Sequence, residues 1–393
     1  MSASATYFDT ITSKSAYNKQ VQSELKDKSF TLSVFDLKSS ASKWGRRQLL
    51  ACQVVVSPTS RDLLPAYNGQ HIAPDDQRSD EAKSQIDKFL QGPDPNFLYQ
   101  IEHNLVHRYG ALGGIWAPLA DINKRRTGVT FPEVLVGDSP TSEQGQGTPQ
   151  SKRVRRNPSH ENFVNSGSIT IASSSPGNKF PGSSPNSSIG WTEQGPIQDL
   201  HLEGVTALLI SRMLLHILWY TQIPGSKQTV AFRYNNQRMS LRIPGLDSPI
   251  VAIDDGGLCL QVEQRDGHFT TPSTMVALLE AKRCLTISNG RPVISDDCLA
   301  QMACEAILAR ATDPLAEFET PSVTIINATQ HYACFLQFDV EDAYIEALKR
   351  GELPSQPLRV TTTQWFDLNE RRGRSAVLKN VCGLVQLAKQ RGS

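Results

Sequence analysis

One apolar run near the middle of the chain most constrains its fold. Residues 275–279 read Met-Val-Ala-Leu-Leu, and Glu280-Ala281-Lys282 follows directly. A short run of this kind predicts a strand buried on both faces, as in the interior of a sheet. Because side chains alternate along a strand, we expect Glu280 and Lys282 on the same face at its end. Burying a charge is costly unless it is paired or metal-bound, so this strand end predicts a functional site or a structural ion pair.

Composition sets broad limits on the rest of the chain. The chain has 393 residues, of which 39% are hydrophobic and 20% charged, so it is long enough for one or two sizeable globular cores. Its 40 basic and 39 acidic residues nearly balance, and any nucleic-acid surface must therefore be local. The 7 cysteines are scattered and form no CxxC pair, which argues against a disulfide framework and against a zinc site.

No segment of the chain predicts association with a membrane. The first residues lack a basic region followed by an apolar one, so we expect no secretory signal. The most apolar window, 205–220, contains Arg212 and His216 and is too short to cross a bilayer core of about 30 Å. This window is expected to form a core helix.

A polar segment divides the chain. Residues 138–190 are dense in Ser, Pro, Gly, Asn and Gln and hold too few apolar side chains to offset chain entropy. We therefore predict a disordered linker between a small α+β region, residues 1–137, and a larger α/β domain, residues 191–393.

The linker carries a basic cluster, Lys152-Arg153-Val154-Arg155-Arg156. An exposed cationic peptide of this length is typical of a nuclear-localisation signal that binds an import receptor, although a solvated run of charges is the alternative. The cluster predicts a nuclear protein. Replacing Lys152, Arg153, Arg155 and Arg156 by Ala in a fluorescent fusion is expected to shift it toward the cytoplasm, and unchanged nuclear accumulation would contradict this prediction.

The N-terminal region shows no catalytic pattern. Its apolar patterns predict strands at 30–37 and 48–56, followed by helices at 80–90 and 96–109. His103 and His107 stand one helical turn apart next to Glu102, but the order of a HExxH metal site is absent. Histidines at the surface or in packing contacts are therefore favoured.

The second half of the chain alternates helices and strands in an informative order. Ser295 is a suitable N-cap for the helix that follows the buried strand, with Asp296 and Asp297 favourably placed in its first turn. The predicted elements are a helix at 197–220, strands at 229–234, 238–243, 250–253, 258–264 and 275–282, a helix from 295 to about 311, a strand at 322–338, a helix at 341–350, a strand at 358–366 and a helix at 374–390.

This order of elements resembles the core of the PD-(D/E)XK nuclease superfamily, in a fungal-type member, over residues 197–366. The triplet Glu280-Ala281-Lys282 matches the (D/E)XK element. The resemblance implies a restriction-endonuclease-like fold with a mixed central sheet flanked by helices. In the family the preceding strand supplies an Asp, for which Asp255 is the first choice, Asp254 the second and Asp247 a weaker third. No Pro-Asp dipeptide stands at the expected place, so the chain departs from the family pattern there.

The helix after the lysine often carries a Gln or Glu in this family. Gln301 and Glu305 lie one turn apart, on a different face from Leu299 and Met302, as a pair that faces a site should. Glu203 matches an acid that some members carry on the first helix.

The resemblance implies a metal-dependent nuclease acting on nucleic acid, with DNA favoured. Asp255 and Glu280, with Asp254 as the alternative, would hold Mg²⁺ or Mn²⁺, while Lys282 and Gln301 would position the attacking water. Two alternatives stay open. These side chains could form a structural ion-pair network, or the domain could be a catalytically inactive nuclear module that binds or scaffolds partners. The sequence does not specify single- or double-stranded nucleic acid as the substrate, nor an oligomeric state.

Overall fold

The computed structural model of the chain describes residues 6–24, 33, 36–68, 78–127, 196–270, 275–282, 285–288, 291–312 and 322–391. The predicted linker and its basic cluster, Lys152, Arg153, Arg155 and Arg156, lie outside the described residues.

The fold is α/β, with a mixed sheet flanked by helices, as the sequence predicted. The strands of the described residues are β1 (Val54–Val56), β2 (Gln228–Arg233), β3 (Arg238–Leu241), β4 (Ile250–Ile253), β5 (Gly257–Glu263), β6 (Phe269–Thr270), β7 (Met275–Lys282), β8 (Thr286–Ser288), β9 (Arg291–Val293), β10 (Ser322–Thr329), β11 (Tyr332–Asp339), β12 (Leu358–Thr362) and β13 (Phe366–Asp367). Nine of these strands form the main sheet, in the order β1-β12-β11-β10-β7-β5-β2, with β13 beside β11 and β6 beside β5. Two small antiparallel pairs, β3-β4 and β8-β9, stand apart from it.

The predicted apolar strand is β7, and it lies in the interior of the sheet. It runs parallel to β10 and antiparallel to β5. Leu278 and Leu279 are fully buried, each in the core on a different face of the sheet. Continuous burial on both faces is the reason that this strand has no alternation of polar and apolar residues.

Helices cover both faces of the sheet. The helices of the described residues are α1 (Tyr7–Thr10), α2 (Lys14–Glu24), α3 (Arg46–Ala51), α4 (Asp80–Gln91), α5 (Glu102–Tyr109), α6 (Gly113–Thr127), α7 (Pro196–Thr221), α8 (Asp296–Ala311), α9 (Asp342–Lys349) and α10 (Arg371–Arg391). The face that carries Leu278 packs against α8 together with the β3-β4 pair, and the face that carries Leu279 packs against α7 and α10. Ser295 caps α8 as predicted, since its hydroxyl accepts a hydrogen bond from the Cys298 backbone N–H.

Helix α7 extends beyond the apolar window that the sequence indicated. Among the described residues, its segment Leu202–Thr221 is long and apolar enough to cross a membrane by length and composition alone. Half of that segment is buried, and Leu209, Ile210 and Leu214 pack in the core against the sheet. The packing is that of a core helix.

The described part of residues 1–137 joins this same sheet. Val54–Val56 pairs in parallel with Leu358–Thr362 and extends the sheet by one strand. Three buried tyrosine hydroxyls fix the connection, because Tyr7 donates to the Val54 carbonyl, Tyr17 to the Leu50 carbonyl and Tyr344 to the Cys52 carbonyl. Residues on both sides of the polar segment therefore form common hydrophobic cores.

Several predicted boundaries in short apolar segments were wrong. The strand predicted at 48–56 is a helix up to Ala51, because the Gln48 side chain caps the helix start by accepting from the Gly45 N–H, and only 54–56 are extended. Asp36 and Leu37 form no strand, and most of that predicted element lies outside the described residues. The helix predicted at 96–109 is a 3₁₀ turn followed by α5.

The long strand predicted at 322–338 is a hairpin. Strands β10 and β11 pair antiparallel around a tight turn, in which Gln330 adopts a left-handed backbone conformation with φ of 54°. Non-glycine residues rarely adopt this conformation, and the turn residues Gln330 and His331 include no Gly or Asn to signal it. The strand predicted at 358–366 likewise divides into β12 and β13.

Candidate active site

The candidate site lies where β7 and β10 end, on the face of the sheet that packs against α8. Glu280 pairs in register with Asn327, and Lys282 pairs with Thr329. Glu280 is fully buried, and the Lys282 side chain is 13% exposed. The strand therefore delivers a carboxylate and an ammonium group to the same face, as alternation along β7 requires.

Gln301 links the two charges of the strand to helix α8. The Lys282 ammonium pairs with Glu280 Oε1 and donates a hydrogen bond of 2.6 Å to Gln301 Oε1. The Gln301 amide group donates to Glu280 Oε1 at 2.7 Å and to Glu305 Oε1 at 2.9 Å. The structure thus brings together Glu280, Lys282, Gln301 and Glu305 in one buried cluster, which we call the β7 cluster.

A glycine pair places Asp255 next to this cluster. Gly256 has a φ of 114°, which side-chain-bearing residues rarely adopt, and a Cβ at Gly257 would stand 2.2 Å from the Ala277 carbonyl oxygen. The backbone therefore approaches β7 closely, and the Asp255 N–H donates to the Leu279 carbonyl at 3.0 Å. Asp255 Oδ2 in turn accepts from the Ala281 N–H at 2.9 Å.

Asp254 has a different environment from its neighbour. Its carboxylate is fully buried, pairs with Arg233 and accepts from the Gln237 N–H at 2.8 Å and the Gly256 N–H at 3.2 Å. Both oxygens thus have donors within the protein, which makes Asp254 an anchor for the backbone and a poor choice of metal ligand. Asp247, the third candidate, is exposed between β3 and β4.

Glu203 stands on α7 and is 9% exposed. After burial and the nearer charged groups, its negative charge is a further cause that raises the pKa of both Asp255 and Glu280. Glu203 is therefore close enough to act on the site electrostatically.

Asn327 is a residue of the site that sequence reasoning missed. It is 1% exposed, stands beside Glu280 in the register and donates to Cys334 Sγ at 3.7 Å. Its Oδ1 atom is buried without a hydrogen-bond partner among the described residues. The available signal was a single amide residue that interrupts the apolar run of β10, but only the pairing of β10 with β7 gives it a meaning.

The carboxyl groups of the site are electrostatically strained. Burial, followed by the charge of Glu280, raises the pKa of Asp255 to about 7. Burial also raises the pKa of Glu280 and that of Glu305, and for Glu305 the neighbouring Glu280 adds to the rise. Burial alone would lower the pKa of Lys282, but the adjacent Glu280 outweighs it and the pKa is raised. The lysine is therefore charged. Its single positive charge does not balance the negative charges that Asp255, Glu280 and Glu305 would carry if all three were ionised.

Two carboxylate oxygens mark where additional positive charge fits. Glu280 Oε2 and Glu305 Oε2 are buried and have no hydrogen-bond partner among the described residues. A buried oxygen of this kind needs a proton or a cation. Mg²⁺ prefers oxygen ligands and is commonly held by one or two carboxylates, with water and phosphate oxygens completing its shell. Glu280 Oε2 fits such an ion, and Asp255 is a second carboxylate close enough for the charge of Glu280 to raise its pKa.

The described residues contain no group of three or more His, Cys, Asp or Glu side chains arranged to hold a metal ion. An ion at the β7 cluster would consequently need water or substrate oxygens as further ligands. His103 and His107 lie on the exposed surface of α5 with ring centroids 6.2 Å apart, in agreement with a surface pair.

Comparison of the sequence with protein-family models finds no match, and comparison with curated proteins finds no similar sequence.

Proposed function

We propose that this chain has a restriction-endonuclease-like core and hydrolyses phosphodiester bonds of nucleic acid, with DNA favoured, using Mg²⁺ or Mn²⁺. One observation carries the proposal. A mostly buried Lys and several buried acids meet at the end of an interior strand, with two carboxylate oxygens lacking partners among the described residues. A purely structural ion pair has no need for this surplus of acids.

The residues of the site would divide the chemistry among them. A divalent ion held by Asp255 and Glu280 would polarise a phosphoryl oxygen and lower the pKa of a bound water. Lys282 would orient that water and offset the negative charge that develops on the phosphate, since an ammonium is a compact charge with three donors. Gln301 would hold the ammonium in place, because it already bonds to Lys282 and Glu280 together.

The second candidate function is that of a catalytically inactive nuclear module that binds or scaffolds partners. The observation that favours it is that the side chains of the β7 cluster are buried and bond to one another. Glu280 is fully buried, and Lys282 already pairs with it and with Gln301, as in a structural ion-pair network. Nuclear import through the basic cluster at 152–156 is proposed on the sequence alone for either function.

Cleavage assays on the purified full chain separate the two candidates. The wild type with Mg²⁺ or Mn²⁺ is expected to cleave at least one of single-stranded, double-stranded and branched DNA or RNA. Lys282→Ala should lower the rate by about 100-fold or more, because charge stabilisation in the transition state is lost. The matched control is Lys349→Ala on the surface of α9, where the side chain is 45% exposed. If the wild type cleaves none of these substrates, the result would favour the inactive module.

A further inference from the structure

An exposed polar loop lies at the same end of the sheet as the site. Residues 234–238 read Tyr-Asn-Asn-Gln-Arg and are all exposed, and Tyr234 has 66% of its surface accessible. We call this segment, whose last residue is the first of β3, the Tyr234 loop. The Tyr234 ring packs edge-on against the Phe232 ring, with centroids 5.0 Å apart, and leaves most of its surface in solvent.

Strand pairing places the Tyr234 loop near the β7 cluster. Strand β2 ends at Arg233, opposite Gly257, and Gly257 is opposite Leu278 of β7. The loop, the glycine turn with Asp255 and the residues that follow Leu278 therefore leave three adjacent strands at the same end. With strands about 4.8 Å apart, the start of the loop lies roughly 10 Å from β7.

Asp254 fixes the loop to the site. It accepts from the Gln237 N–H at 2.8 Å, and its own N–H donates to the Gln237 carbonyl at 3.3 Å. Arg233 pairs with Asp254 and also donates to the Asn235 carbonyl. A fully buried carboxylate next to Asp255 thus holds the loop backbone, while the loop side chains remain exposed.

We propose that the Tyr234 loop binds an unpaired segment of nucleic acid and presents it to the β7 cluster. Tyr234 would stack on a base, which requires a base free of its duplex neighbours. Asn235, Asn236 and Gln237 carry both donors and acceptors, as recognition of base edges needs, and Arg238 would contact a phosphate. The role of the loop as a substrate surface rests on the proposed function, but its binding of nucleic acid does not require catalysis.

Binding is tested without metal, so that cleavage plays no part. Fluorescence anisotropy in EDTA would measure the Kd of the full chain for labelled single strands of about 15 nucleotides, as DNA and as RNA, and for a duplex of the same sequence. We expect single strands to bind more tightly than the duplex. Tyr234→Ala should raise the Kd about tenfold, because base stacking is lost. Tyr234→Phe keeps the aromatic ring and should have the Kd of the wild type. Arg238→Ala should weaken binding and reduce its dependence on salt.

Phe269→Ala is the matched control, because Phe269 is also an exposed aromatic residue, at 50%, but lies on β6 at the opposite end of β5. It should leave the Kd unchanged. Equal Kd values for the wild type and Tyr234→Ala, an equal loss in Phe269→Ala, or no binding of single strands by the wild type would overturn the proposal. If the wild type binds single strands through Tyr234 but cleaves no substrate, the result would count against the proposed function alone.

Discussion

Glu280→Gln is expected to abolish both the stabilisation of the protein by Mn²⁺ and its cleavage of nucleic acid, while leaving the fold intact. Wild-type protein should gain about 1 to 3 kcal/mol of unfolding free energy when the ion is present at ~10 to 100 times its Kd, because the ion binds only the folded state. The substitution keeps the size and shape of the side chain and removes its negative charge. Thermal unfolding with and without Mn²⁺ measures the effect.

The gain from Mn²⁺ should depend on pH. Burial and the charge of Glu280 raise the pKa of Asp255 from its ordinary value of 3.8 to about 7. Between these values the folded state holds a proton that the unfolded state has lost, so the metal-free protein loses stability as the pH rises from about 4 to about 7. An ion that replaces the proton relieves this loss, and its stabilising effect should therefore be larger at pH 8 than at pH 5.

Glu346→Gln is the control for this experiment, because Glu346 is a half-exposed acid on α9 that pairs with Lys349. Its response to Mn²⁺ should equal that of the wild type. If the β7 cluster is only an ion-pair network, Glu280→Gln and Lys282→Ala would both lower stability by amounts that do not depend on metal.

Arg374→Met is expected to lower the unfolding free energy by about 3 to 5 kcal/mol. The Arg374 guanidinium is 3% exposed and donates to the carbonyls of Phe89, Leu90 and Gln91 at the end of α4. It also donates to the carbonyls of Leu368 and Asn369 ahead of α10. Methionine fills similar volume but leaves these buried acceptors without a donor.

Arg372→Met provides the comparison on the same helix. The Arg372 side chain is 71% exposed and lies 3.4 Å from Asp62, so its loss should change stability by less than about 1 kcal/mol. Chemical denaturation of both variants gives the two free energies. Equal values for Arg372→Met and Arg374→Met would contradict the role of Arg374 as the tie between α4 and α10.

Local patterns predicted those segments whose own residues are enough to specify their secondary structure. The run at 275–279 is long and apolar enough to specify an interior strand, and Ser295 with its acidic first turn specifies the start of α8. The segment 48–51 does not decide its own state, because a short apolar run suits a helix and a strand equally. The turn at Gln330 gave no signal, since its backbone conformation is imposed by the pairing of β10 with β11.

The site residues divide in the same way. Alternation along β7 grouped Glu280 with Lys282, helical spacing along α8 grouped Gln301 with Glu305, and the family resemblance placed the two pairs at one site. The four side chains meet in the structure. The choice between Asp254 and Asp255 depends on hydrogen bonds from Arg233 and Gln237, which lie in other elements. Asn327 enters through the register of a neighbouring strand more than 40 residues away, which no local pattern contains.

Calorimetric titration of Mn²⁺ at pH 8 into the wild type, Asp255→Asn, Glu280→Gln and Glu346→Gln tests the metal site most directly. The wild type and Glu346→Gln should each bind an ion at one site, whereas Asp255→Asn and Glu280→Gln should show no saturable heat, because each removes a carboxylate that holds the ion. Absence of saturable binding in the wild type, or the same binding in all four proteins, would contradict a metal site at the end of β7.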